Sequence, residues 1–237
     1  MTRVFATTHW SVVLAAASEG SAGADAALEK LCRLYWYPLY AYLRRRGCGE
    51  ADAQDLVQGF FMQLLQHGSL SRVTRERGKF RSFLLASINL FLADAKDRDR
   101  AVKRGGGAKP VALDALEAEE RYRLEPADEA DSQRIFERRW ALTVLEEVMR
   151  RLREEYHAAG KADLLEQIQP FLLGDRSHGT YAEIGARLTL SEGAVKMAAL
   201  RLRQRYAELF REVISETVSD RAEAEEELRY LSSVIAR

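Results

Sequence analysis

The chain has 237 residues, of which 47% are apolar, so it can bury real cores and is sized for two small domains rather than a disordered tract. Lys+Arg 36 and Asp+Glu 36 cancel, which argues against a protein that coats nucleic acid indiscriminately. Only 4 prolines occur, Ala, Leu, Arg and Glu abound, and alternating β-branched runs are nearly absent, so the expected fold is all-α.

Elements follow in chain order. Leu28, Leu31, Leu34 and Tyr35 repeat at helical spacing, and Tyr35, Trp36, Tyr37, Tyr40 and Tyr42 supply large rings for a core. A second helix carries Leu56-Val57, Phe60-Phe61 and Leu64-Leu65 as one broad apolar stripe, with Asp55 and Gln58 on its other side. A third, from Phe80 to about Arg98, shows Phe83-Leu84, Ile88, Phe91-Leu92 and Ala95 and ends in Lys96, Arg98, Arg100, Lys103 and Arg104. Gly105-Gly106-Gly107 and Pro110 cannot continue a helix, so a linker starts there. Helical periodicity returns near Ile135 and runs to about Thr217, interrupted at Gly160, Pro170 and Gly174. The expected organisation is an N-terminal helical domain over 1–104 and a flexible acidic linker over 105–134. A C-terminal helical domain over 135–217 and an acidic extension over 218–237 complete it.

The neutral total hides local asymmetry. Residues 72–104 hold ten bases against four acids, and residues 114–137 hold nine acids against three bases. Such segregation suits one anionic partner surface and a separate acidic segment, although ordinary solvated helix faces produce it too. Cys32 and Cys48 are too far apart for a C-x-x-C site, and two thiols suit a reducing compartment. His9, His67, His157 and His178 stand alone, with no H-E-x-x-H or paired-carboxylate arrangement. The expectation is no metal, no cofactor, no small-molecule substrate and no catalytic activity. The apolar run from Val12 to Ala17 is too short for a signal segment or a membrane span, so the expected location is cytoplasmic, without a membrane partner.

The most specific local pattern is T-Y-A-E-I-G-A-R-L-T-L-S-E-G-A-V-K over residues 180–196. A short helix from about Tyr181 turns Ile184 and Leu188 inward, the chain turns at Thr189-Leu190, and Ser191 is a good N-cap for the next helix. That helix repeats Val195, Ala199, Leu202, Tyr206 and Leu209 at helical spacing, a helix-turn-helix pattern. Ser191, Glu192, Ala194, Lys196 and Met197 lie on the end that would meet base edges, and Arg201, Arg203 and Arg205 follow where phosphates would lie. An amphipathic hairpin in a bundle, its arginines in water, fits the same periodicity. The basic run after Phe91 also has two readings. Its cations suit a helix C-terminus, or, beside Phe80, Phe83 and Asn89, they suit a grip on a separated strand. Phe83 and Phe91 fit the core stripe as well, which favours the first.

Two separated segments resemble one family, the extracytoplasmic-function sigma factors: D-A-Q-D-L-V-Q at 52–58 with F-R-S-F-L at 80–84, and the pattern over 180–196. The resemblance covers about residues 24–104 and 140–214. It implies that Asp55 and Gln58, with Phe61, dock core RNA polymerase. It implies further that the third helix and the chain after it (Phe83, Asn89, Lys96, Arg98 and Arg100) engage the −10 promoter element. The helix-turn-helix (Ser191, Glu192, Ala194, Lys196, Met197, Arg201 and Arg203) would then read the −35 element. Core polymerase and promoter DNA are the implied partners, with an anti-sigma factor as a further one. Three departures stand out. Asn89-Leu90 occupies the place of a common Arg-Asn, Thr189 that of a turn glycine, and Ala198 that of a DNA-contacting Arg. Thr189 must therefore avoid positive φ or bear its cost. In the tail, Leu228, Leu231, Val234 and Ile235 recur behind Glu223, Glu225, Glu226 and Glu227. This helix either folds back on the basic C-terminal domain as a restraint or completes that domain's core. The competing reading of the whole chain is a helix-turn-helix regulator that binds duplex operator without polymerase.

Overall fold

The computed structural model describes residues 24–66, 79–101, 115–123, 131–173, 179–218 and 221–235; side chains at some helix ends, 95–101 among them, lie outside the description. Every regular element among these residues is helical, as the composition requires. The helices are α1 (Ala24–Arg45), α2 (Glu50–Gln66), α3 (Phe80–Ala101), α4 (Ala115–Arg123), α5 (Ser132–Ala158) and α6 (Ala162–Ile168). A 3-10 turn (Gln169–Leu173) leads on to α7 (Tyr181–Leu188), α8 (Glu192–Thr217) and α9 (Arg221–Ile235). Among the described residues no helix is long and apolar enough to cross a membrane. The chain divides into two compact units, Met1–Thr143 with Ile214–Arg237 and Val144–Val213, and the division falls inside α5 and inside α8.

The first unit is built around α1. Between Leu34 and Leu43 nearly every side chain is buried, so this helix is apolar all round and sits in the core rather than on it. α2 turns Ala53, Val57, Phe60, Phe61 and Leu64 inward, and α3 turns Phe80, Leu84, Ile88 and Leu92 inward at strict four-residue spacing. Ring contacts join them: Tyr35 meets Phe80 edge-on at 5.4 Å, and Phe60 meets Phe91 at 5.9 Å.

The segment read as a flexible linker contains α4, and that helix is fastened to α1. Glu119 is buried at 6% exposure and accepts a hydrogen bond from Tyr40 Oη at 2.5 Å. Arg44 adds a two-pronged contact, Nε at 3.1 Å and Nη2 at 3.0 Å. The Arg44 guanidinium also lies over the Tyr122 ring at 5.0 Å, and Arg121 lies over Tyr37 at 4.4 Å. Nine residues are too few to hold a helix in water alone, so these partners are what keep it formed.

The acidic tail also belongs to this unit. Glu227 on α9 is 1% exposed and pairs with Arg81 through Nε, and with Lys79 Nζ at 2.9 Å. Arg81 is itself 7% exposed, reaches Glu137 of α5 at 3.4 Å, and is sandwiched between the Tyr230 ring at 4.1 Å and the Trp140 ring at 5.4 Å. Leu231, fully buried, and Ala224 pack beside Glu227 at helical spacing. The ion pairs of Glu227 are therefore with the basic segment that opens α3.

In the second unit the buried residues Val144, Val148 and Leu152 of α5 share a core with Leu165, Ile168, Phe171, Ile184, Val195, Ala199, Leu202, Leu209 and Val213. Polar clasps close it. Glu147 accepts from Arg150 and Arg151 at 2.7 Å each. Glu155 of α5 holds Arg205 of α8 at 2.6 and 2.8 Å.

Removing the Glu227 carboxylate leaves a buried guanidinium with the more distant Glu137, at 3.4 Å, as its carboxylate partner among the described residues. Glu227→Ala is expected to lower stability by about 3 kcal/mol, read as a shifted urea midpoint. An unchanged midpoint would show that α9 is not fastened where Arg81 lies. A second expectation concerns pH. Burial alone would push the Glu119 carboxyl up, but the hydrogen bonds from Tyr40 and Arg44 hold it below its ordinary 4.5. A depressed carboxylate stabilises the fold above its unfolded pKa, and the contribution is lost as pH falls from about 4.5 through the folded value. Glu119→Gln should flatten this part of the acid-unfolding curve, and an identical curve would contradict the assignment.

Candidate nucleic-acid interface

The corner formed by α7 and α8 is built by its caps. Thr180 accepts from the backbone N–H of Glu183 at 3.3 Å, and Glu183 reaches back to accept from the Thr180 N–H at 2.7 Å. This reciprocal pair fixes where α7 begins and holds the Glu183 carboxyl below its usual range through the backbone hydrogen bond. α7 ends at Thr189, whose φ of 55° and ψ of 38° are left-handed. The sequence left two options there, and the structure takes the strained one, with the Thr189 hydroxyl donating to the Leu188 carbonyl at 2.6 Å. Leu190 N–H then donates to the Gly185 carbonyl at 2.8 Å. A Cβ on Gly185 would stand 2.6 Å from the Leu190 carbonyl oxygen, so the turn can close this tightly only over a glycine. Ser191 caps α8 through Oγ, which accepts from the Ala194 N–H at 3.2 Å.

Ser191, Glu192, Ala194, Lys196, Met197, Arg201 and Arg203 are all exposed. Their engagements differ. Lys196 is tied to Glu192 at 2.7 Å, and that hydrogen bond raises its pKa. Arg203 donates to the Phe171 carbonyl at 2.9 Å, clamping α8 to the 3-10 turn. Arg205, first read as a phosphate contact, is enclosed by Glu155, Glu208 at 3.0 Å and Glu212 at 3.1 Å, the bond to Glu155 doing most to raise its pKa. Among the described residues Arg201 makes no ion pair.

On α2, in the first unit, Asp55 is exposed and Gln58 half-buried, one turn apart. Phe61 is 4% exposed and packs on Phe60 at 5.7 Å. It belongs to the core stripe and cannot be offered to a partner without repacking α2. Met62, 52% exposed, lies on the Asp55 side instead, seven residues on.

On α3, Phe83 is half-buried against Phe80 at 5.9 Å. Asn89 has both ends of its amide occupied. Its Nδ2 donates to the Leu85 carbonyl at 2.8 Å, and its Oδ1 accepts from Tyr42 Oη at 2.8 Å and from Arg46. It ties α3 to α1, while the neighbouring Leu90 stands 69% exposed. The side chains of Lys96, Arg98 and Arg100 lie outside the described residues, although their backbone is helical within α3.

Sequence reasoning missed Gly185, Arg81, Leu190 and Leu200. A glycine inside a short amphipathic helix signals a close approach. Leu200 and Met62 lie off the buried stripes of their helices, which marks them as exposed apolar residues. Nothing local marks Arg81 as buried. Compared with known proteins, the chain matches no family model, no curated protein and no solved structure.

The left-handed Thr189 yields a direct test. Thr189→Gly should raise stability by about 1 kcal/mol, because a β-branched residue bears the steric cost of that conformation and glycine does not. A loss of stability in urea unfolding would show that the hydroxyl bond to Leu188 outweighs it.

Proposed function

We propose that this chain is an alternative sigma factor of the extracytoplasmic-function type, which binds core RNA polymerase and directs it to promoters. In this reading α7 and α8 are a helix-turn-helix engaging the −35 element, α2 docks the polymerase through Asp55 and Gln58, and α3 with the chain after it engages the −10 element. The observation that carries the reading is the capped corner. Two helices meet at a three-residue turn over Gly185, and the second begins with an exposed first turn at Ser191, Glu192 and Ala194. A helix start offered in this way fits the major groove, where its N-terminal residues reach base edges.

Two features refine the proposal. Phe61 is left out of the docking set because it is core, and Met62 takes its place beside Asp55. Asn89 is left out of base capture because Tyr42, Arg46 and the Leu85 carbonyl already hold its amide. The role in the −10 element then falls to Phe83 and to Lys96, Arg98 and Arg100. The protein's proposed partners are core polymerase and promoter DNA, with an anti-sigma factor as a third, and its proposed place is the cytoplasm. Phosphodiester chemistry would belong to the polymerase, so no catalytic group is assigned to this chain.

Reconstituted transcription tests it. With core enzyme and a library of genomic fragments, the protein should produce discrete transcripts absent with core alone. Asp55→Ala should reduce them about tenfold or more, which corresponds to about 1.4 kcal/mol lost at the docking face. A sequence-specific footprint from the protein alone, with no transcripts on adding core enzyme, would favour the polymerase-independent regulator.

A further inference from the structure

The outermost line of α8 carries two exposed apolar side chains. Val195, Ala199 and Leu202 are buried at 0–1% exposure and define the inward side. Gly193, Met197, Leu200 and Gln204, spaced four, three and four residues apart, run along the opposite side, and all are exposed. Met197 is 48% exposed and Leu200 44%, and Leu190 in the turn is 41% exposed. A Cβ added at Gly193 meets nothing within 4 Å, so the line opens on clear space at the helix start. The cations that flank it have other engagements: Lys196 is paired with Glu192, and Arg203 with the Phe171 carbonyl. Arg201, one turn on from Met197, is exposed and makes no ion pair among the described residues, so a cation borders the apolar line. An unpaired cation beside the line suits an anionic occupant better than an apolar protein groove.

We propose that Met197 and Leu200 read the C5-methyl groups of thymines in the major groove, so that the duplex element recognised by this corner is specified by apolar contact more than by hydrogen bonds to base edges. The inference rests on the DNA-binding reading given above and adds the chemistry of the ligand. The thymine methyl is the apolar mark that base pairs present in that groove, and apolar side chains meet it directly. Met suits such a contact because its unbranched thioether adapts to the methyl's position. Gly193 lets the backbone approach without a side chain in the way. Gln204, at the far end of the line, is the amide placed to fix register.

The experiment uses the full chain with core RNA polymerase. Duplexes carrying a randomised window of about one helical turn are selected by binding to that complex, and again by the protein alone. The recovered sequences are resynthesised with deoxyuridine for thymidine inside the window, which removes the methyl and leaves every hydrogen-bonding edge unchanged. Thymines should be enriched, and the uracil form should bind wild type about fourfold more weakly per methyl group removed. The double variant Met197→Ala, Leu200→Ala should bind both forms with equal affinity. Alanine is a good helix former at two exposed sites, and an unchanged urea midpoint checks that the variant is folded. Equal affinity of wild type for the thymine and uracil forms of a selected sequence overturns the methyl readout while leaving DNA binding intact. If instead the double variant loses core polymerase and uracil has no effect, the face belongs to a protein contact and the proposal fails. If no sequence is selected in either arm, the DNA-binding reading fails and the methyl readout with it.

Discussion

Arg81 carries a charge that the interior of the first unit cannot hold alone. At 7% exposure its guanidinium is cut off from water, and desolvation of that size is tolerable only if several partners converge on it. They do, from two other helices: Glu227 and Tyr230 from α9, Glu137 and Trp140 from α5, with Lys79 just before α3 sharing the Glu227 carboxylate. Each of these elements is placed where Arg81 needs it. The start of α3, the first part of α5 and the tail helix are bound to one site by one buried cation. Burial acts most strongly against the charge on the guanidinium, and the Glu227 hydrogen bond together with the charges of Glu227, Tyr230 and Glu137 offsets it.

This changes the meaning of the segregated charge. Read along the sequence, the basic run over 72–104 and the acidic run over 114–137 suggest an anionic partner on one side and a solvated segment on the other. In the fold, part of that charge is internal. Arg81 of the basic run meets Glu137 of the acidic run, and Glu119 of the acidic run meets Arg44 of α1. Complementary segments of one chain therefore account for some of the asymmetry, and the cations left for an outside partner are fewer than composition suggests.

How much was legible follows from range. The helices with long apolar stripes, α2, α3 and α8, were readable because each repeat carries its own evidence of burial. The cap at Ser191 was readable for the same reason, since donor and acceptor lie within three residues, whereas the reciprocal cap at Thr180 and Glu183 emerged only in the structure. α4 was not, because a nine-residue acidic helix exists by virtue of Tyr40 and Arg44, some seventy-five residues away. The position of α9 was hidden likewise, since Glu227 looks like its exposed neighbours Glu225 and Glu226 until Arg81 is seen opposite it. Phe61 shows the reverse problem. Periodicity put it on the buried stripe and resemblance put it on a docking face, and the periodicity was the physical statement of the two.

The same economy of cations bears on how the α7–α8 corner would work. Arg203 and Arg205 hold α8 in place, through the Phe171 carbonyl and through Glu155, and Lys196 is shared with Glu192. If this corner meets DNA as proposed, Arg201 is left as its main phosphate contact. Few neutralised phosphates mean few released counterions, hence weak duplex affinity and a shallow dependence on salt. A module that binds weakly alone is useful when a second anchor holds it near its target, because tethering turns the encounter into an intramolecular one. The thin positive face of α8 and the exposed Asp55 on α2 thus belong to one argument: a corner with little grip on phosphate suits a chain that reaches DNA already bound to a larger partner.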